Sequence, residues 1–227
     1  VGGLVPFTAT DYPGKLAAVV FCQGCPWRCP YCHNPHLLPL RGENEASWWE
    51  IARFLESREG LLDAVVFSGG EPTLHPGLPD VVRDTKALGF AVGLHTAGIY
   101  PAKFERLLPW LDWVGFDVKG PFEAYEAVTR VSGSGARALA SLRLLLASGT
   151  AHEVRTTVHP ALLSETDLLK LAYRLARMGV RHYALQAFRA QGCADPALAR
   201  AGAGFWPSPA LLQTIGRQFD TFVVREA

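Results

Sequence analysis

Leu16-Ala17-Ala18-Val19-Val20-Phe21-Cys22-Gln23-Gly24-Cys25-Pro26-Trp27-Arg28-Cys29-Pro30-Tyr31-Cys32-His33-Asn34-Pro35 runs from an apolar, β-rich segment straight into a cysteine loop. The apolar part is short and does not alternate with polar residues, as expected of a strand buried on both faces in a parallel sheet. Four of the five cysteines follow at once, the last three spaced C-x3-C-x2-C. Three thiolates this close on one loop cannot all pair as disulfides. Cys25, Cys29 and Cys32 would leave a metal or cluster one ligand short, an arrangement suited to chemistry, as at open catalytic metal sites. A closed structural zinc site that also uses Cys22 is the alternative reading.

The strand-then-polar-loop unit recurs along the chain. Ser47 is placed to cap a helix through Leu55 that Gly60 ends, and Ala64-Val65-Val66-Phe67 forms the next strand, followed by Ser68-Gly69-Gly70-Glu71-Pro72-Thr73. A helix from about Leu78 to Leu88 precedes strand Ala91 to Leu94, which leads into His95-Thr96-Ala97-Gly98. A helix near 102–109 precedes Trp113-Val114-Gly115-Phe116 and then Asp117-Val118-Lys119-Gly120. Leu139 to Leu146 reads as a helix, Val154 to Val158 as a strand, and a helix capped by Thr166 or Asp167 runs to Met178. Tyr183 to Gln186 is a strand, Gly202 to Pro209 a loop, about 209–217 a last helix, and Thr221 to Val224 a terminal strand. Residues 1–16, rich in glycine and proline, read as a short hairpin or irregular lead-in.

Alternating strands and helices imply parallel pairing through right-handed crossovers. An open doubly wound sheet collects its ligand at one switch point, whereas a barrel surrounds one mouth with all its strand ends. Polar motifs follow five different strands here, which favours an α/β partial barrel. With no linker or low-complexity tract, one domain over 1–227 is expected.

At 227 residues, 49% apolar and net charge +1, the chain has the composition of a soluble globular protein. The near-neutral charge gives no support for a nucleic-acid or membrane-surface partner. No apolar run reaches the roughly 18 residues that span a bilayer. No secretory signal is evident, and clustered cysteines without one point to a reducing, cytoplasmic setting.

Individual motifs carry weaker signals. Gly69-Gly70 gives a turn without side chains, which a ligand can approach closely, and Glu71 offers an acceptor suited to an ammonium group. Asp117 and Lys119 share a face of an extended segment. Lys119 could grip a carboxylate and Asp117 a hydroxyl or cation, or the two could form a solvated ion pair. Arg155, sharing a strand face with Thr157, is either paired inside the barrel or contacting an anion. Trp27 and Tyr31 either shield a cluster, stack on a planar ligand or simply pack. His33, His36, His75, His95 and His159 lack paired helical spacing and are not taken as metal ligands; Cys193 reads as a bystander.

Taken together, C-x3-C-x2-C after the first strand and Gly69-Gly70-Glu71 after the second resemble the radical S-adenosylmethionine (SAM) enzymes. Further strings narrow the likeness: Gly3 to Thr8, Asp11-Tyr12-Pro13-Gly14-Lys15, Gln23-Gly24-Cys25, Cys29 to Pro35, Ser68 to Thr73, Asp117 to Pro121 and Val154 to Val158. They resemble the activating proteins of anaerobic ribonucleoside-triphosphate reductases, relatives of pyruvate formate-lyase activating enzyme. The resemblance implies a partial (β/α)6 barrel with a 4Fe-4S cluster on Cys25, Cys29 and Cys32, its fourth iron chelated by S-adenosyl-L-methionine. Gly69, Gly70 and Glu71 would hold the methionine amino group and Lys119 the carboxylate region, with Tyr31 and His33 near the adenine. Thr96, Asp117 and Arg155 complete the expected cofactor-binding set, and Lys119 joins the cysteines in the catalytic set. One electron, from a donor such as flavodoxin or ferredoxin, would release a 5′-deoxyadenosyl radical. That radical would take a hydrogen from a glycine of a glycyl radical enzyme, the large subunit of the anaerobic ribonucleotide reductase being the expected partner.

Two positions depart from the pattern. Cys22 stands where relatives commonly carry a non-cysteine, and it is expected to be a strand-end spectator. His95-Thr96-Ala97-Gly98 replaces an Asp-Thr-Asn-Gly that accompanies a monovalent cation, which leaves Asp117 without a companion carboxylate. Radical chemistry on a small molecule and a zinc-stabilised binding module are the alternatives. The lack of an evident insertion, C-terminal lid or auxiliary-cluster cysteines favours a protein substrate.

Overall fold

In the computed structural model, which describes residues 1–43, 45–202 and 207–226, the strands lie side by side in chain order as one eight-stranded sheet. β1 (Gly3–Thr8) runs antiparallel to β2 (Ala17–Cys22). The strands β3 (Ala64–Gly69), β4 (Ala91–Thr96), β5 (Trp113–Asp117), β6 (Ala151–Val158), β7 (His182–Ala187) and β8 (Thr221–Arg225) follow, each parallel to the one before. Six helical crossovers join the seven parallel strands: α1 (Trp48–Glu56), α2 (Leu78–Ala87), α3 (Pro101–Leu107), the pair α4 (Tyr125–Thr129) and α5 (Ser134–Ser148), α6 (Glu165–Met178), and the pair α7 (Pro196–Ala201) and α8 (Pro209–Gly216). Because the strand order never reverses, there is no switch point, and successive right-handed crossovers put the helices on one face while the sheet curls round the other. This is the expected partial (β/α)6 barrel, with β1 and β8 as its open edges.

Strand alternation sorts the core into two parts. Val65 and Phe67, Val92 and Leu94, Val114 and Phe116 belong to the large cluster that also contains the apolar faces of the helices. Ala64 and Val66 belong instead to an inner cluster with Ala17, Val19, Trp113 and Tyr12. Tyr12, from the β1–β2 loop, packs on Trp113 with ring centroids 5.2 Å apart. These residues lie toward the beginnings of the strands, so apolar packing fills that end and leaves the strand C-termini to polar side chains.

Several local expectations need correction. Of the two readings of the lead-in, the structure takes the hairpin, β1 pairing with β2, and the following boundaries differ. α5 begins at Ser134 rather than Leu139, and β6 at Ala151 rather than Val154. α4 and α7, five and six residues long, are too short to show helical periodicity and were not expected. Gly60, with φ of 74°, lies in the turn beyond α1 rather than at its end. Of the expected 202–209 loop, residues 203–206 lie outside the described residues. α6 is capped by Ser164, not Thr166 or Asp167. Ser164 Oγ accepts the Asp167 N–H at 3.1 Å, and the Asp167 carboxylate accepts the Ser164 N–H in return, a reciprocal capping box. Among the described residues no helix is long and apolar enough to cross a membrane.

The cap assignment is testable. Ser164→Ala should lower stability by about 1 kcal/mol in urea unfolding, the usual cost of losing such a cap, while Thr166→Ala should leave the midpoint nearly unchanged.

Candidate active site at the barrel mouth

The C-terminal ends of β2 to β7 and the loops beyond them enclose a cavity of about 670 Å³. The expected site residues from five strand ends line it: Cys25, Cys29, Tyr31, Cys32 and His33; Gly69, Gly70 and Glu71; Thr96; Asp117 and Lys119; and Arg155. The start of the cysteine loop is bolted to the turn after β3 by main-chain hydrogen bonds, with the His75 ring also 2.5 Å from Gln23 O. Gly70 N–H donates to Cys22 O and Glu71 N–H to Gly24 O, each at 2.9 Å. A Cβ on Gly70 would collide with the Gly24 carbonyl, and Gly69, at φ of 104°, lies directly against the backbone of Cys22. The two glycines are therefore required for one loop to lie on another, a role apart from ligand approach. On the far limb, the buried Gln23 amide donates to His36 O and Pro39 O at 3.0 and 2.8 Å.

Cys25, Cys29 and Cys32 are partly exposed at the cavity, whereas Cys22 is buried in the outer core and does not line it. Burial pushes the Cys25 thiol up to about 12, with the charges of Glu71 and Cys29 adding to the rise, and burial raises Cys29 as well. Metal or cluster binding would displace those protons. Among the described residues no three His, Cys, Asp or Glu side chains converge on a single-ion position. Trp27 Nε1–H, on the same loop, and Tyr31 O–H are buried without hydrogen-bond partners among the described residues. Buried donors normally have acceptors, and sulfur acceptors brought in beside the cysteines would suit them. The donor set fits a cluster.

Glu71 is 1% exposed and braces two strand ends. Its Oε1 accepts from Thr73 N–H (3.1 Å), Thr73 Oγ1 (2.5 Å) and Thr96 Oγ1 (2.7 Å), and its Oε2 accepts Ala97 N–H (3.1 Å). Oε1 is crowded and Oε2 keeps acceptor capacity. Burial raises its protonation range above that of an ordinary carboxylate, against the pull of these donors.

Beside it runs a line of charge across three strands. Lys119 Nζ lies 3.2 Å from Asp117 Oδ2 and over the Tyr31 ring, and Arg155 Nε lies 3.1 Å from Asp117 Oδ1. The Arg155 guanidinium spans β5 because Gly115 has no side chain; a Cβ there would come within 2.7 Å of it. Arg155 thus takes the paired alternative, and Lys119 and Asp117 are coupled to each other. Burial opposes charge on Asp117, but Lys119 and Arg155 outweigh it and hold the carboxyl down to about 2. Arg155 Nη1 ends 3.2 Å from His95 Nε2, a nitrogen that also lies 2.9 Å from Asp11 O. Ser68 Oγ lies 3.3 Å from Nδ1 on the other side of the ring. Burial and the neighbouring guanidinium press His95 down to about 3, so it is neutral.

The segment after β7 was missed as a wall of the site, and the expected lack of a C-terminal cover is corrected in part. Arg189 N–H donates to His33 Nε2 at 3.2 Å, and Phe188 packs on the His33 ring at 5.5 Å. Cys193 packs beside Tyr31 and Phe188, with its Sγ 3.5 Å from Pro30 O. Arg189, Gln191 and Gly192 join the cavity lining. No sequence spacing reveals this, because the partners are more than 150 residues apart. Asp11 and Tyr125 were also missed; the Tyr125 hydroxyl accepts the Lys119 N–H at 2.8 Å.

Comparison with known proteins agrees with this geometry. The chain is 32% identical over 204 residues to the putative glycyl-radical enzyme activating enzyme MJ1227 of Methanocaldococcus jannaschii, covering 86% of this chain and 82% of that protein. It is 33% identical over 170 residues to the pyruvate formate-lyase-activating enzyme of Clostridium pasteurianum, covering 71% and 70%. The crystal structure of Streptococcus suis SuiB bound to S-adenosylmethionine superposes on 92% of the chain with a TM-score of 0.67 and 12% identity. That likeness speaks to the fold, and the chain spans about half the length of SuiB. A family model described as the Radical SAM superfamily matches residues 19–184, well over half of the chain, and the chain belongs to that superfamily.

Proposed function

We propose that this radical SAM enzyme activates a glycyl radical enzyme, with the large subunit of an anaerobic ribonucleotide reductase as the partner. The observation that carries the reading is the cavity itself. Three thiols and the Gly69–Glu71 turn face one space, while the fourth cysteine of the loop is turned into the core. Two relatives at 32% and 33% identity are named as activating enzymes, which supports the class of reaction.

Radical SAM enzymes use a 4Fe-4S cluster and S-adenosylmethionine, which when bound supply one-electron cleavage of a sulfur–carbon bond and so a 5′-deoxyadenosyl radical. This chain's residues provide position and exclusion of water. Cys25, Cys29 and Cys32 would hold the cluster. Gly69, Gly70 and the free lone pairs of Glu71 Oε2 would take the cofactor's amino group, with Thr96 orienting Glu71 from behind. Lys119 would meet its carboxylate, oriented by Asp117 and, through Asp117, by Arg155. Tyr31 and His33 would wall the adenine side. Flavodoxin or ferredoxin is the class of electron donor.

Three outcomes follow from these assignments. Cys29→Ala should lose bound iron and SAM cleavage together, and Cys22→Ala should keep both; iron analysis and 5′-deoxyadenosine release check this. Incubating the reduced protein with SAM and the candidate reductase should give a glycine-centred doublet in electron paramagnetic resonance, and its absence with an intact cluster would rule out that partner. Acid should destabilise the mouth. The unfolded chain protonates His95 near 6.5 and the fold only near 3, and the unfolded chain protonates Asp117 near 3.8 and the fold only near 2. Stability therefore falls as pH drops through these windows, by a slope approaching about 1.4 kcal/mol per pH unit for one proton. Urea midpoints between about pH 7 and 4.5 should fall less steeply in His95→Gln than in the parent.

A further inference from the structure

The outer face of α6 carries Lys170, Tyr173, Arg174 and Arg177 in an i, i+3, i+4, i+7 stripe, while Leu168, Leu171, Ala172 and Leu175 bury the opposite face. The stripe borders a surface hollow of about 610 Å³. Two carboxylates stand beside the stripe: Glu123 pairs with Arg174, and Asp167, one turn before Lys170, is hydrogen-bonded in the helix cap. Among the described residues, exposed Lys170 and Arg177 have no ion-pair partner. A solvated helix face is the ordinary meaning of such a stripe, but this one has an inner end. The Arg174 guanidinium lies 4.8 Å over the Phe122 ring. Phe122 stacks on Tyr125 at 5.8 Å and 6°, and Tyr125 meets Trp27 edge-on at 5.7 Å. Trp27 lies between Cys25 and Cys29, and its N–H is one of the buried groups without a hydrogen-bond partner among the described residues. Packed rings thus run without a gap from the basic stripe to the cysteine loop.

Resting on the radical SAM reading above, we propose that this stripe is the docking surface for the electron donor, a small acidic protein carrying a low-potential flavin or iron–sulfur centre. Opposite charge steers such a carrier onto Lys170 and Arg177. The Phe122–Tyr125–Trp27 stack is the packed medium between its centre and the cluster. One electron leaves the reduced carrier, which is oxidised by one, and enters the cluster, which is reduced by one. No bond is made or broken, and no ring holds the electron on the way.

The test compares the anaerobic holoenzyme with its Lys170→Glu/Arg177→Glu variant, using reduced flavodoxin as the protein donor and dithionite as the small reductant. In the variant, flavodoxin binding measured by calorimetry should weaken at least tenfold. Stopped-flow cluster reduction by flavodoxin should slow to match, with dithionite reduction unchanged. Phe122→Leu should slow reduction by bound flavodoxin and leave its affinity alone. Unchanged flavodoxin binding and kinetics in the charge-reversed variant would overturn the proposal, as would equal slowing with both reductants. Unchanged flavodoxin kinetics with lost binding of the glycyl radical partner would give the stripe to that partner and overturn it too. A wild-type protein whose cluster dithionite cannot reduce would overturn the underlying reading, and the proposal with it.

Discussion

Everything at the barrel mouth depends on one close approach of backbone to backbone. The turn after β3 carries no side chain at Gly69 or Gly70, so its N–H groups reach the carbonyls of Cys22 and Gly24 directly. That contact sets where the cysteine loop leaves the sheet, and therefore which cysteines face the cavity and which one faces the core. It also delivers Glu71 to the point between strands where Thr73 and Thr96 saturate Oε1, while Oε2 takes only the Ala97 N–H and keeps capacity for more. A buried carboxylate with fewer donors would be costly to hold at that place. The glycines, the cysteines and the glutamate form one mechanical unit although they stand on two loops.

The second organising element is the charged line from Lys119 through Asp117 and Arg155 to His95. Each member is tolerable inside the barrel because of the next: the carboxylate answers two cations, and the imidazole stays neutral beside the guanidinium. Gly115 makes it possible by leaving room for Arg155 to cross β5. Arg155 is thus a support for Asp117, and Lys119 keeps the position nearest Tyr31 and the cysteine loop.

Much of this was legible in the sequence because it is local. Short apolar strands announce a buried parallel sheet, and polar residues after each strand announce a common mouth. The three-cysteine spacing points to a metal or cluster, with a closed site that also uses Cys22 as the other reading. What was not legible is set by contacts between distant parts of the chain. Tyr12 closes the inner core by packing on Trp113, about a hundred residues on, yet its surroundings read only as a short hairpin or irregular lead-in. The Phe188–Cys193 wall is tied to His33 and Pro30 by single hydrogen bonds that leave no pattern. α4 and α7 are shorter than two helical turns and so carry no period, and the Ser164 cap was misplaced by two or three residues because Thr166 and Asp167 are also good capping types.

Radical generation at this mouth requires that the three thiolates leave one iron open to the cofactor. Electron paramagnetic resonance of the reduced, cluster-loaded protein, recorded before and after adding S-adenosylmethionine labelled with nitrogen-15 at the amino group, tests that directly. A changed cluster spectrum with a resolved hyperfine coupling to the labelled nitrogen is the predicted result. A spectrum that is unaltered by the cofactor and shows no such coupling would mean that the fourth iron is closed, and would contradict it.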